Sequence, residues 1–140
     1  SNRDFIELID ISIKCGLNKK ATASLEIKVD KKILKVDSDG TGPIDAVFKA
    51  IKKTTKSSAN LVLYQVKAIT RGTDAQAEVS VRLEESGISV LGVGSDIDTI
   101  VASGKAYINA LNKLMIKKEK ASESIESLNA ANNDIDKHVI

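Results

Sequence analysis

The sequence is short of nearly every residue type that performs chemistry. It has one histidine, one cysteine, one proline, one methionine and no tryptophan. Cys15 alone cannot form an internal disulfide, which fits a reducing compartment. The single histidine, His138, lies beside the C-terminus. A general base must be held rigidly against its nucleophile, so a Ser-His-Asp or Cys-His system there is excluded. One His and one Cys cannot assemble a zinc site. Aromatic residues make up only 3%. The core must therefore be aliphatic and alanine-rich, and stacking platforms for single-stranded nucleic acid are missing. No stretch approaches the ~18 apolar residues that a membrane span needs. No signal peptide is visible, so a cytoplasmic location is expected. The chain opens Ser1-Asn2 without an initiator Met. That predicts a cut fragment with a vector-derived scar or linker over 1–4.

Charge is equally unremarkable. The net charge is +2. The lysine pairs Lys19-Lys20, Lys31-Lys32, Lys52-Lys53 and Lys117-Lys118 are scattered along the chain. A nucleic-acid partner needs a clustered patch, and only the pI of about 8.6 speaks for one. We expect neither a nucleic-acid nor a membrane partner.

What is present is a repeating pattern. Ile6, Leu8 and 9–13 form a first apolar strand. Over 21–29, Ala23, Leu25, Ile27 and Val29 alternate with Ser24, Glu26 and Lys28, the period of a half-buried strand. Asp30-Lys31-Lys32 turns the chain into a third strand at 33–36. Ile44, Val47, Phe48 and Ile51 then recur at helical spacing, with Pro43 placed in the first turn, where its missing N–H costs nothing. The second half repeats the order. A strand at 61–69 is followed by alternation of Ala77, Val79, Val81 and Leu83, then a strand at 88–91. A helix starting near Asp96 or Asp98 carries Ile97, Ile100, Val101, Ile108, Leu111 and Met115 on one stripe and Ala102, Ala106 and Ala110 on another. The chain therefore predicts an α+β fold of two βββα units, 5–58 and 59–120, related by a pseudo-two-fold. Helices should pack on antiparallel sheets. Residues 121–140 turn polar and are expected to be a helical extension fraying into a tail.

Three features outside the core pattern invite a chemical reading. Asp37 with Asp39, and Asp96 with Asp98, read either as carboxylate pairs or as turn and N-cap residues, and Asp or Gly before a helix favours the second. Gly40-x-Gly42 and Gly92-x-Gly94 each precede a predicted helix, whose N-terminal N–H groups suit an anion. Neither is a P-loop, because no Gly-Lys-Ser/Thr follows. Ala75 and Ala77 put two small residues on one strand face. The room they leave suits a neighbouring side chain or a ligand.

Three runs make the pattern specific. They are 63–79 (Leu-Tyr-Gln-Val-Lys-Ala-Ile-Thr-Arg-Gly-Thr-Asp-Ala-Gln-Ala-Glu-Val), 92–112 beginning Gly-Val-Gly-Ser-Asp-Ile-Asp-Thr-Ile-Val-Ala-Ser-Gly-Lys-Ala, and Gly40-Thr41-Gly42-Pro43-Ile44-Asp45-Ala46. In this order they resemble the C-terminal regulatory domain of α-isopropylmalate synthases, which the related citramalate synthases share. The resemblance covers about Phe5 to Met115. It implies a domain that pairs with a second copy and binds an end product, leucine or isoleucine, near the dimer interface. It also implies a TIM-barrel catalytic domain, absent here, that uses a divalent metal to condense acetyl-CoA with a 2-oxo acid (2-oxoisovalerate in the leucine pathway). This chain carries no barrel residues, so no catalytic residue and no cofactor is expected within it. The effector positions implied by the resemblance are Asp45, Ala46, Leu61, Tyr64, Ala68, Ala75, Ala77 and Thr99. The glycine turns at Gly40, Gly42, Gly92 and Gly94, with Asp96 and Asp98, would flank the two helix starts. Position 99 is Thr where the family pattern has an aliphatic residue, a departure that favours a ligand-free dimerisation domain.

Overall fold

The computed structural model describes residues 5–138, without the side chains of Arg71 and of residues 134–138. The expected scar at Ser1-Asn2 and the His138 side chain lie outside these. The order is β1 (Ile6–Lys14), β2 (Ala21–Val29), β3 (Lys32–Gly40), α1 (Pro43–Thr55), β4 (Asn60–Arg71), β5 (Asp74–Glu85), β6 (Ile88–Asp96) and α2 (Thr99–His138). The strands form two antiparallel three-stranded sheets, β1-β2-β3 and β4-β5-β6. Two βββα units, as the alternation predicts, thus make an α+β fold.

Each central strand sends one face into the core. Ala21, Ala23, Leu25 and Ile27 of β2 are buried, as are Ala77, Val79, Val81 and Leu83 of β5. Both outer strands β1 and β4 carry a register irregularity at the same place, between Leu8 and Asp10 and between Leu61 and Leu63. A shared irregularity at matching positions is the structural mark of the repeat.

The strands preceding the helices run further than their composition suggests. β3 continues to Gly40 and β6 to Asp96, so Gly92 and Gly94 lie within a strand and not in a turn. Ala21 pairs with Gly40, while Ala77 pairs with Asp96. The repeat therefore equates Gly40 with Asp96 and Gly42 with Asp98. It does not equate the two Gly-x-Gly pairs. Gly92 and Gly94 serve close packing. A Cβ on Gly92 would lie 2.3 Å from the Ala106 carbonyl oxygen, and one on Gly94 2.5 Å from that of Ala102. Ala102, Ala106 and Ala110, all buried, supply the matching small stripe of α2.

The helix also borders the free edge of β6. Asn109 Oδ1 accepts the Val93 N–H at 2.9 Å, Lys113 Nζ donates to the Leu91 carbonyl at 2.8 Å, and Lys117 Nζ to that of Ser89 at 3.2 Å. Side chains four residues apart on a helix stand one above another. This row therefore satisfies edge groups that a further strand would otherwise take.

α2 reaches beyond its own sheet. Asn112, buried, accepts the Ile6 N–H and donates to the Ile6 carbonyl, at 2.9 and 2.8 Å. Gly104 faces Leu8 and Val47. The second unit's helix thus covers β1 of the first. One expectation for α2 differs from the structure: Ile97 precedes the helix and is 78% exposed. The helix continues past Lys120 to His138, the helical extension expected there.

Candidate functional site

β4 is the exception to the buried pattern. Leu61, Tyr64, Val66 and Ala68 stand opposite Leu83, Val81, Val79 and Ala77 of β5. Directly opposed residues of an antiparallel pair project to one face. These four therefore share the inner face with a row of core residues, yet all four are exposed. In the first unit the equivalent strand β1 lies under α2. β4 meets the helices at Tyr64.

Tyr64 sits where the two units meet. Its hydroxyl is 2.7 Å from Ser103 Oγ on α2, and Ser103 Oγ donates to the Thr99 carbonyl at 2.7 Å. With its proton so committed, Ser103 accepts from Tyr64. Phe48 of α1 meets the Tyr64 ring edge-on at 5.7 Å and lies 4.6 Å from the Tyr107 ring. Three of the chain's few aromatic rings thus gather at one junction. Burial pushes the Tyr107 phenol up to about 12. Beyond Tyr64, small residues form the floor. Ala68 faces the buried Ala77, and Thr70 faces Ala75. An apolar shelf of small side chains is left open.

The two helix starts differ: α2 is capped by a side chain and α1 is not. Asp98 caps α2, accepting the N–H of Ile100 at 2.7 Å and of Val101 at 3.4 Å. Asp96 accepts the Asp98 N–H and pairs with Lys105 at 3.1 Å. Those two bonds hold the Asp96 carboxyl below its ordinary range. Gly42 caps α1 with extended backbone, and Asp45 reaches back to the Thr41 N–H at 2.9 Å. That bond, then Lys49, holds the Asp45 carboxyl below its ordinary range as well. Ala46 is fully buried, beneath Gly40. Among the expected positions, the structure joins Tyr64 to Thr99 through Ser103. It gathers Ala68, Ala75 and Ala77 on one sheet face and puts Leu61 further along that face. Gly40, Gly42, Asp96 and Asp98 serve packing and capping, and the α2 donors expected for an anion are taken by Asp98. Phe48, Ser103, Tyr107 and Val66 were missed by sequence reasoning. Ser103, a polar residue within an apolar helix stripe, was the one legible signal. Among the described residues, no group of three or more His, Cys, Asp or Glu could hold a metal, and no helix is long and apolar enough to cross a membrane.

The family described as the LeuA allosteric (dimerisation) domain matches residues 1–115. The chain belongs to the LeuA allosteric domain family. Its relatives include 2-isopropylmalate synthases of Afipia carboxidovorans (45% identical over 84% of this chain) and Bradyrhizobium sp. strain BTAi1 (47% over 86%). That of Methylorubrum populi is 50% identical over 79%. The aligned part is 22%, 23% and 21% of those proteins, so the chain spans about a fifth of their length. The LeuA match closes at Met115, within α2 and well short of its end.

Proposed function

We propose that this chain is the feedback-regulatory part of a 2-isopropylmalate synthase, that two copies pair across the inner face of β4, and that leucine binds on that face. One observation carries the reading. On the inner face of β1, Ile6 is buried and Leu8, Ile11 and Ile13 are half-buried, with the neighbouring unit's helix against Ile6 and Leu8, while on the equivalent face of β4 the apolar side chains are exposed, with helix contacts at Tyr64. A second copy supplies the missing neighbour, and burying that strip favours association. The shelf of Ala68, Ala75 and Ala77 then takes the branched side chain, with Leu61 and Tyr64 along its floor. The polar end of the amino acid lies toward the helix starts, where Asp45 is suited to an ammonium group. Thr99 reaches the same shelf through Ser103 and Tyr64. Leucine binding here would favour one arrangement of the whole enzyme over another, which is what inhibition at a distance requires. The regulated step is condensation of acetyl-CoA with 2-oxoisovalerate in a separate, metal-using barrel, within the cytoplasm.

Leucine is preferred to isoleucine because the named relatives are 2-isopropylmalate synthases. Calorimetric titration with each amino acid, alongside light scattering for oligomeric state, tests the reading. Preferential leucine binding by a dimer is expected. Preferential isoleucine binding points to citramalate synthase regulation. A dimer that binds neither is a ligand-free dimerisation domain, and the effector reading fails.

A further inference from the structure

α2 carries more helix than the domain beneath it needs. Gly104, Tyr107, Leu111 and Leu114 of α2 are buried in the core. Their spacing of three and four residues is that of a heptad seam. The seam does not stop where the core does. It continues through Lys118, Ala121, Ile125, Leu128 and Asn132, and the sequence carries the spacing on to Ile135. Beyond Lys118, which is held by Glu85, the row has left the domain. Ile125 is 59% and Leu128 63% exposed. This stretch lies past the part of the chain that matches the LeuA family. A lone helix of this length, with serine and asparagine throughout, is marginal in water unless its apolar stripe is covered.

We propose that residues 121–135 pair with the same segment of a second copy as a short parallel coiled coil. The seam itself selects that partner. Counting from the core, Ile125 falls at an a position and Leu128 at a d position, the combination that favours two parallel strands. Asn132 falls at the next a position. An asparagine there satisfies itself against its counterpart, and so fixes register and a two-stranded state at some cost in stability. A partner of different sequence has no such reason to match. The inference rests on the pairing of two copies proposed above. That pairing holds the two helices at high effective concentration, so a short seam suffices.

The test is disulfide trapping in the full chain with the exposed Cys15 changed to serine. Ile125→Cys sits on the seam and Glu123→Cys on the opposite side of the same turn. A disulfide needs Cα atoms within about 7 Å, which only seam positions of a parallel pair provide. The expected result is a covalent dimer for Ile125→Cys on mild oxidation, with Leu128→Cys behaving alike, and only background for Glu123→Cys. Equal trapping at both faces overturns the inference. So does absence of trapping in a sample that light scattering shows to be dimeric, and in that case the dimer reading survives. A monomer by light scattering removes both.

Discussion

Single residues hold this domain together at points where no substitute fits. Gly92 and Gly94 let α2 lie directly on β6, and the atoms a Cβ would strike are helix backbone and an alanine methyl. Gly92→Ala must push the helix outward and is expected to cost about 3 kcal/mol or more, read as a lowered urea midpoint. Asn112 bridges the two units through the backbone of Ile6. Asn112→Ala leaves a buried N–H and carbonyl unpaired, with an expected loss of about 2–4 kcal/mol in the same measurement. The Asp45 and Asp96 carboxyls are both held below the ordinary carboxylate value, chiefly by the backbone N–H each accepts. A depressed carboxylate stabilises the fold at pH values above its ordinary value, and that contribution disappears as pH falls through the native value. Urea titrations should therefore find wild type more stable than Asp45→Asn at pH 6, with the gap closing toward pH 3. Residue types announced little of this. A glycine before a predicted helix reads as a turn, and only the pairing of β6 with β5 shows that Gly92 and Gly94 face a helix. Asp98 was legible as a cap, because Asp before an apolar helical stripe has few other uses.

At the scale of elements, alternation located β2 and β5, since Ala21–Ile27 and Ala77–Leu83 each bury every second residue, and apolar runs between turns located the other four strands. Their ends were not legible. The stretches 37–40 and 92–96 are rich in Gly, Asp and Ser and look like loop, but a paired neighbour and a helix on one face override that preference. Nor does periodicity say which strand remains uncovered, because β1 and β4 read alike and differ in how much of their inner face a helix covers. The row of Asn109, Lys113 and Lys117 along β6 belongs to this scale too. Asn109→Ala should speed hydrogen exchange of the Val93 amide markedly while leaving the melting temperature almost unchanged. The bond lies at an exposed edge where water can replace it.

In the whole molecule, the exposed inner face of β4 is the feature that a second copy would change most. The chain has one core shared by two units, and that core ends in an apolar strip that a second copy would cover. Val66 stands on the strip, exposed within a single chain. Val66→Asp should therefore yield a folded monomer, seen as a halved mass by light scattering with a native circular dichroism spectrum. The effector positions on this face came from family resemblance. Spacing alone left Ala75 and Ala77 as small residues facing either a side chain or a ligand. The most direct measurement is leucine titration, by calorimetry, of Ala68→Phe beside the wild-type chain. Filling the shelf should weaken leucine at least about tenfold, or ~1.4 kcal/mol, in a protein that remains dimeric. Unchanged leucine affinity in the variant would mean that the amino acid does not bind on this face.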